Sequence, residues 1–406
     1  MPVWYSFLKL KNNNMEILQT NAQRIKTKIL VLTTIFIDVV GIGILIPVLP
    51  SYVASFGVST TVVTLLFGAY AFFSFFSAPY LGSLSDRIGR RKILIISIAS
   101  SAIGWFIFAK ASSVLFLFIG RIIDGLAAGN ITTAQSTLAD IARDNKERTA
   151  NLGLFGAMFG LGFILGPTLG GLLASHGNTT PFYFVAILAS LNAIFAFFFL
   201  PETRITRNAD KKVIFNPFIP IIDGFKHKKI QGLFFIWFLF STALALQQVT
   251  FAMYMERIFG FSVSQTGFVF AGIGVLILIN QILLRRVLLK KFREKILAIV
   301  MFVFFGVGMI LQSFPILLAV FAGLVLSTFG QGTLRPVLSS FIAGFNPEKK
   351  GEYLGIASSL TTLGMIIGSL IATASYALHP GLPFLVSGII GLVSFVMMKV
   401  FKVISW

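Results

Sequence analysis

Twelve apolar stretches divide this chain, near residues 29–49, 62–81, 93–109, 114–138, 151–174, 182–200, 231–255, 265–284, 296–311, 315–341, 352–376 and 383–401. A helix rises about 1.5 Å per residue, so about 20 apolar residues cross a hydrocarbon layer roughly 30 Å thick. Each stretch has about that length. Lipid offers the backbone no hydrogen-bond partner, so each segment must satisfy its own peptide groups as a helix. The fold class that follows is an all-α polytopic membrane protein. Composition agrees: the 406 residues are 56% hydrophobic and 12% charged, where soluble domains carry about 25% charged residues. The chain has no cysteine, which excludes disulfides and thiolate metal centres. His176, His227 and His379 all fall in connectors, so no histidine cluster is available inside a span, and no metal or other cofactor is expected.

A net charge of +19 would ordinarily suggest nucleic acid. Its distribution argues otherwise. Basic residues gather in alternate connectors: Arg87, Arg90, Arg91 and Lys92; Arg143, Lys146 and Arg148; Arg204 to Lys229; Arg285 to Lys295; Lys349 and Lys350. The intervening connectors hold only Lys110 and Arg257. This asymmetry places the basic set in the cytoplasm, against anionic lipid headgroups. An even number of spans with a basic start at Arg24, Lys26 and Lys28 puts both termini on that side. A soluble nucleic-acid binder has no way to hide twelve apolar stretches, so nucleic acid is excluded as a partner.

Residues 201–230 are the one long polar segment between spans, with Pro201, Pro217, Pro220 and seven Lys/Arg. They read as a cytoplasmic linker between two six-helix halves, 29–200 and 231–406, after a cytoplasmic segment 1–28. The halves echo each other. Leu152, Gly153, Leu161, Gly162 and Gly166 recur as Leu354, Gly355, Leu363, Gly364 and Gly368, at a constant offset of 202. This pattern suits parallel repeats related by an axis along the membrane normal. Residues 1–14 are polar and lack the apolar core of a signal peptide. Met15 opens a more conventional start, so translation from Met1 and from Met15 both stay open.

Four motifs carry a family resemblance. The first is the connector Gly82-Ser83-Leu84-Ser85-Asp86-Arg87-Ile88-Gly89-Arg90-Arg91-Lys92, a short cationic hinge between two spans. The second is Asp38-Val39-Val40-Gly41-Ile42-Gly43-Ile44-Leu45-Ile46-Pro47-Val48-Leu49-Pro50 in the first stretch. The third is Arg121-Ile122-Ile123-Asp124-Gly125 through Gly129 in the fourth, and the last runs from Gly162 through Gly166-Pro167-Thr168-Leu169-Gly170-Gly171 in the fifth. In these helices, and in their order along the chain, they resemble the major facilitator superfamily, and within it the drug:proton antiporters, notably tetracycline and multidrug exporters. The resemblance implies twelve helices in two six-helix halves and export of small amphipathic compounds by alternating access. It also implies the proton gradient as energy source, and a monomer in the bacterial inner membrane. Two departures stand out. Tetracycline exporters carry acids in helices 3 and 9, whereas 93–109 and 296–311 contain none. The second-half counterpart of the hinge, Leu284-Arg285-Arg286 to Glu294-Lys295, lacks the glycines. They leave a second reading open, a transporter of the same family for a metabolite, siderophore or amino-acid-like solute. A membrane-embedded enzyme is not expected, because no span offers a nucleophile with a base.

Asp38 lies inside the first stretch, where an acid costs roughly 2.5–3.5 kcal/mol to insert near the helix centre. No base accompanies it there. It is either a proton carrier or a structural acid bonded to a neighbouring helix. Arg121 and Asp124 are three apart and share a helix face, which Ala128 and Gln135 extend. Pairing lowers the cost of burying both charges. The family assigns the hinge acid, Asp86, a latch that closes the cytoplasmic side. A helix N-terminus near Gly351 to Leu354 offers it a positive dipole end, and Arg143 or Arg148 a partner base. Gly82, Arg87, Gly89, Arg90 and Arg91 complete this gating element. In the fifth stretch Gly162, Gly166 and Gly170 form a four-residue ladder that lets another helix approach closely, and Pro167 permits a bend beside Gly171. Gln135 in the first half and Gln247, Gln248, Asn280, Gln281, Gln331 and Arg335 in the second are cavity-lining candidates, with Arg335 either facing the cavity or snorkelling to the inner surface. The 45 phenylalanines are mostly lipid-facing or packing residues.

Overall fold

The computed structural model describes residues 21–203, 216–227, 230–345 and 350–400. The start at 1–15, most of the linker, and Lys349 lie outside the described residues. All elements described are helical. They are α1 (Asn21–Ala54), α2 (Thr61–Ile88), α3 (Arg90–Ala109), α4 (Val114–Leu126 and Gly129–Asp140), α5 (Asn145–Ala174) and α6 (Thr180–Phe199). A short helix, Phe218–Lys226, precedes α7 (Gln231–Phe259), α8 (Val263–Leu283), α9 (Glu294–Gln312), α10 (Leu317–Phe345), α11 (Lys350–Leu378) and α12 (Leu382–Val400). Twelve of these helices are long and apolar enough to cross a membrane.

Three details depart from the sequence expectation. The polar run after residue 81 stays helical to Ile88, so the hinge shrinks to Gly89, whose φ of +111° suits a residue without a Cβ. The fourth stretch breaks at Ala127–Ala128 rather than running through. There Gly125 and Gly129 press onto α2, at Tyr70 and Leu81, so closely that a Cβ on either would collide. The end of α8 widens into a π turn at Leu284–Leu288 before one further turn, Leu289–Lys291.

Packing repeats with a period of six helices. In the first half α1 rests on α5 and α6, α3 on α6 and α4, and α2 on α4. In the second, α7 rests on α11 and α12, α9 on α12 and α10, and α8 on α10. Glycines set the crossings. A Cβ on Gly104 would lie 2.9 Å from the Gly120 carbonyl oxygen between α3 and α4, and one on Gly308 2.7 Å from that of Gly323 between α9 and α10. The sequence repeat reappears as paired contacts: Gly162 meets Val40 and Gly364 meets Thr242, while Gly166 meets Gly43 and Gly368 meets Ala245. Both members of each pair shift by 202 residues.

Apart from smaller contacts from α1 to α7 and α8 and from α2 to α7, the main helix pairs joining the halves are α5 with α8 and α2 with α11. Their contacts lie toward the end away from the basic connectors. Gly171 meets Ser264, Gly267 meets the Pro167 carbonyl, Gly68 faces Ser369, and the hydroxyls of Thr64 and Thr373 bond to each other. One apolar cluster at that end holds Ile44, Leu49 and Phe67 together with Leu246, Tyr254 and Leu324. Toward the basic connectors the core divides. Val31, Leu94 and Leu138 belong to one cluster, and Phe302, Leu338 and Tyr353 to another. Gly153, Gly156 and Gly160 of α5 and Gly355 of α11 face open space, with nothing within 4 Å of where a Cβ would stand. The helices therefore meet at one end and splay at the basic end.

Candidate functional site

A buried polar cluster lies among α1 to α4. Arg121 is 2% exposed, and its Nη1 is 2.9 Å from Asp124 Oδ2. The spacing of three along α4 brings the two together, and desolvation makes the pairing obligatory. The guanidinium lies over the Tyr70 ring of α2 at 4.4 Å and faces Trp105 of α3 at 5.9 Å. Ser101 of α3 donates to Asp124 Oδ1 at 2.6 Å. Thus a hydroxyl is what α3, which carries no acid in its apolar stretch, brings to the cluster. Arg121 Nε is buried with no hydrogen-bond partner, so one donor of the guanidinium is unspent.

Asp38 of α1 joins through Asn130, whose Nδ2 donates to Asp38 Oδ2 at 2.7 Å. The break in α4 explains this contact. It frees backbone donors at the start of the second piece, and Asn130 Oδ1 accepts from the Ile131 N–H at 2.8 Å. Its amide group is thereby turned toward α1. Asp38, Tyr70, Ser101, Trp105, Asp124 and Asn130 border one small pocket. Sequence reasoning placed Asp38, Arg121 and Asp124 but missed Asn130, Tyr70 and Ser101. The only signal was the presence of polar side chains in otherwise apolar stretches.

The residues that the sequence marked as a gating element gather at the basic end of the first half. Arg90 pairs with Asp86 at 2.6 Å and through Nε with Asp140 of α4 at 3.0 Å, and it donates to Ser85 Oγ at 2.6 Å. Arg90 is thus one base against Asp86, a pairing that the sequence reading, with Arg143 or Arg148 as candidates, did not include. Glu202, missed in the sequence, accepts the Arg90 N–H at 2.9 Å and fills the space a Gly89 Cβ would need. An acid at the first turn of α3 complements the helix dipole. Arg91 donates to the Phe197 carbonyl at 2.6 Å, Arg87 is exposed, and Gly82 rests on Thr132. Nearby, outside the spans, Glu147 bonds the Arg143 N–H at 2.9 Å and pairs with Arg24 at 3.0 Å and Lys28 at 3.4 Å. That backbone donor first, and then the two bases, hold its carboxyl below the usual range.

The glycine motif of α5 works on two faces. Gly162, Gly166 and Gly170 receive Val39, Gly43 and Ile44 of α1, while Pro167 and Gly171 receive Gly267 and Ser264 of α8. α5 runs unbroken through Pro167.

Two second-half candidates do not face the opening. Gln247 is 8% exposed and donates to Gln312 Oε1 at 2.9 Å, tying α7 to α9. Asn280 is fully buried, donates to the Phe329 carbonyl at 2.9 Å and accepts from Thr333 at 3.0 Å. A buried amide between apolar helices needs hydrogen-bond partners; Asn280 uses its donor and its acceptor as a helix tie, and Gln247 uses its donor. Gln281 donates to the Gly332 carbonyl at 3.0 Å and is half-buried, as are Gln248 and Gln331. Gln135 and Arg335 are exposed.

Comparison with known proteins matches this arrangement. The chain fits the family model described as Major Facilitator Superfamily over residues 31–291 and 233–405. It is 29% identical to the tetracycline resistance protein, class C, of Escherichia coli, over 86% of this chain and 89% of that one. It is 26% identical to multidrug resistance protein 2 of Bacillus subtilis (strain 168), over 92% and 94%. Among solved structures, the human organic anion transporter MFSD10 (TETRAN) superposes with a TM-score of 0.72 at 22% identity, covering 94% of this chain and 100% of that one. The nucleoside transporter NupG superposes with a TM-score of 0.73 at 16% identity, covering 94% and 98%. With its twelve candidate spans, its six-helix packing repeat and this family match along nearly its whole length, the chain belongs to the major facilitator superfamily of membrane transporters.

Proposed function

We propose that this protein exports small amphipathic compounds in exchange for protons, as a monomer in the bacterial inner membrane with its basic connectors and both termini in the cytoplasm. The observation that carries the reading is Asp38. It is an acid in the middle of a span, held by a neutral amide rather than by a base, and set in one pocket with Asp124, the partner of Arg121. Such an acid gains or loses a proton with few compensating contacts to break. The relatives named for tetracycline and multidrug resistance support a drug-like cargo.

The opening at the basic end is the state that loads from the cytoplasm. Substrate enters between the halves while Asp38 is ionised. The halves then rock about the midplane, closing the basic end and opening the other. A proton from outside neutralises Asp38, loosens the polar contacts and favours release. Return to the present state delivers that proton inside. One proton falling through 100 mV supplies roughly 2.3 kcal/mol, and one pH unit about 1.4. Together these sustain a concentration ratio of several hundredfold at one-to-one coupling.

The test is drug-dependent proton movement in proteoliposomes carrying Asp38→Asn. Loss of coupled proton flux with retained substrate binding is expected. Full proton movement by the variant removes Asp38 from the mechanism. A panel of drugs and metabolites presented to the wild-type protein separates drug export from metabolite transport.

A further inference from the structure

Away from the helix ends, the spans hold four ionisable side chains of the Asp, Glu, Lys and Arg type: Asp38, Arg121, Asp124 and Arg335. Arg121 and Asp124 neutralise each other, and Asp38 takes the Asn130 amide. Arg335 is left over. It is exposed on α10, and among the described residues no acid or acceptor pairs with it.

Its direction follows from the stripe it ends. Leu324, Thr328, Gln331 and Arg335 are spaced by four, three and four, so they lie on one face of α10. Leu324 packs in the cluster that joins α1 and α7, which turns this face to the centre of the molecule. Exposure then rises along the stripe. Leu324 and Thr328 are buried, Gln331 is half-buried and Arg335 is exposed. The halves diverge in the same direction, and we take the central opening to be what uncovers Arg335, in a gap that closes again at Ile342, seven residues on and fully buried. Thr328 Oγ1, one turn above Gln331, is buried with no hydrogen-bond partner.

A guanidinium facing a water-filled cavity inside a membrane keeps its charge and attracts an anion. Its planar fork matches a carboxylate with two parallel N–H···O bonds, which an ammonium cannot copy. We propose that the transported compound carries an anionic group, a carboxylate or a similar delocalised oxyanion, that docks on Arg335 with Gln331 beside it. This rests on the export reading above and names its substrate class. Charge balance gives it a signature. One proton inward against one monoanion outward moves two positive charges inward per cycle, against one charge for a neutral compound and none for a monovalent cation.

The experiment uses the purified full chain in proteoliposomes, with nalidixate as a flat aromatic monoanion and ethidium as a flat aromatic cation. Wild type is expected to bind and transport nalidixate. Arg335→Gln should weaken nalidixate binding at least tenfold and leave ethidium binding unchanged, which also reports an intact fold. Arg335→Lys should fall between. Equal nalidixate binding by wild type and Arg335→Gln overturns the inference, and so does an equal loss for both compounds. A wild-type protein that exchanges ethidium for protons but binds neither nalidixate nor other aromatic carboxylates also overturns it, leaving the export reading standing. Failure to move any compound against protons overturns the export reading itself.

Discussion

Gly43 of α1 and Gly166 of α5 touch backbone to backbone: a Cβ on Gly43 would stand 2.9 Å from the Gly166 Cα, and one on Gly166 2.8 Å from the Gly43 Cα. No side chain fits between them, so the seam that carries Asp38 one turn away is rigidly placed. Gly166→Val is expected to force α1 and α5 apart, at a cost of about 1–3 kcal/mol for overpacking a tight contact. A lower melting temperature of the purified protein, together with reduced transport, checks this. A variant as stable and active as wild type would show that the seam tolerates separation.

Asn130 is expected to matter for coupling and little for folding. It is the one side chain recorded donating to Asp38 among the described residues, and a hydrogen bond to a charged group contributes about 1.5–3 kcal/mol. On the proposed role of Asp38, Asn130→Ala should slow transport under a proton gradient roughly tenfold or more while leaving substrate binding near wild type. Measuring both in the same proteoliposomes separates a coupling defect from misfolding. An equal loss of binding and transport would argue for a structural role.

The face of α5 that meets α8 through Ile164, Pro167 and Gly171 continues toward the basic end as Gly153, Gly156 and Gly160, which here meet nothing. If the basic end closes in the proposed cycle, these small residues are where a partner helix can seat. Gly156→Trp should then block that closure, keeping substrate binding from the basic side but abolishing transport. The chain contains no cysteine, so Gly355→Cys gives a clean reporter. Its labelling by an impermeant maleimide should slow as the transporter cycles, and in the Gly156→Trp background it should stay fast. Protection of the reporter despite the tryptophan would show that closure uses another surface.

Glu147 predicts a pH effect on stability. The Arg143 N–H, with Arg24 and Lys28, holds its carboxyl below the ordinary value of 4.5. The stabilisation is therefore complete above that value and is lost as pH falls through the lower value in the folded protein. Glu147→Gln should melt slightly lower than wild type at pH 7, by under about 1 kcal/mol because solvent screens the site. The difference should vanish in acid. Melting curves at pH 7 and pH 3 decide the matter, and an equal gap at both would remove the ion pairs as its cause.

The sequence by itself determined which segments span the membrane, which connectors are basic, and which residues pair along one helix. Hydropathy, loop charge and helical spacing are local properties, so the twelve spans, Arg121 beside Asp124 and the glycine repeat at an offset of 202 were all legible. Only the tertiary structure decided which faces meet. In lipid every helix face is apolar, so hydrophobicity does not select a partner, and close packing and hydrogen bonds do. That is why Asn130 reaching Asp38 across 92 residues, Glu202 at the start of α3, and the spending of Gln247 and Asn280 on helix ties were invisible in the chain. The splay at the basic end, which leaves Arg335 uncovered, is a property of how two bundles lean against each other, and no single helix encodes it.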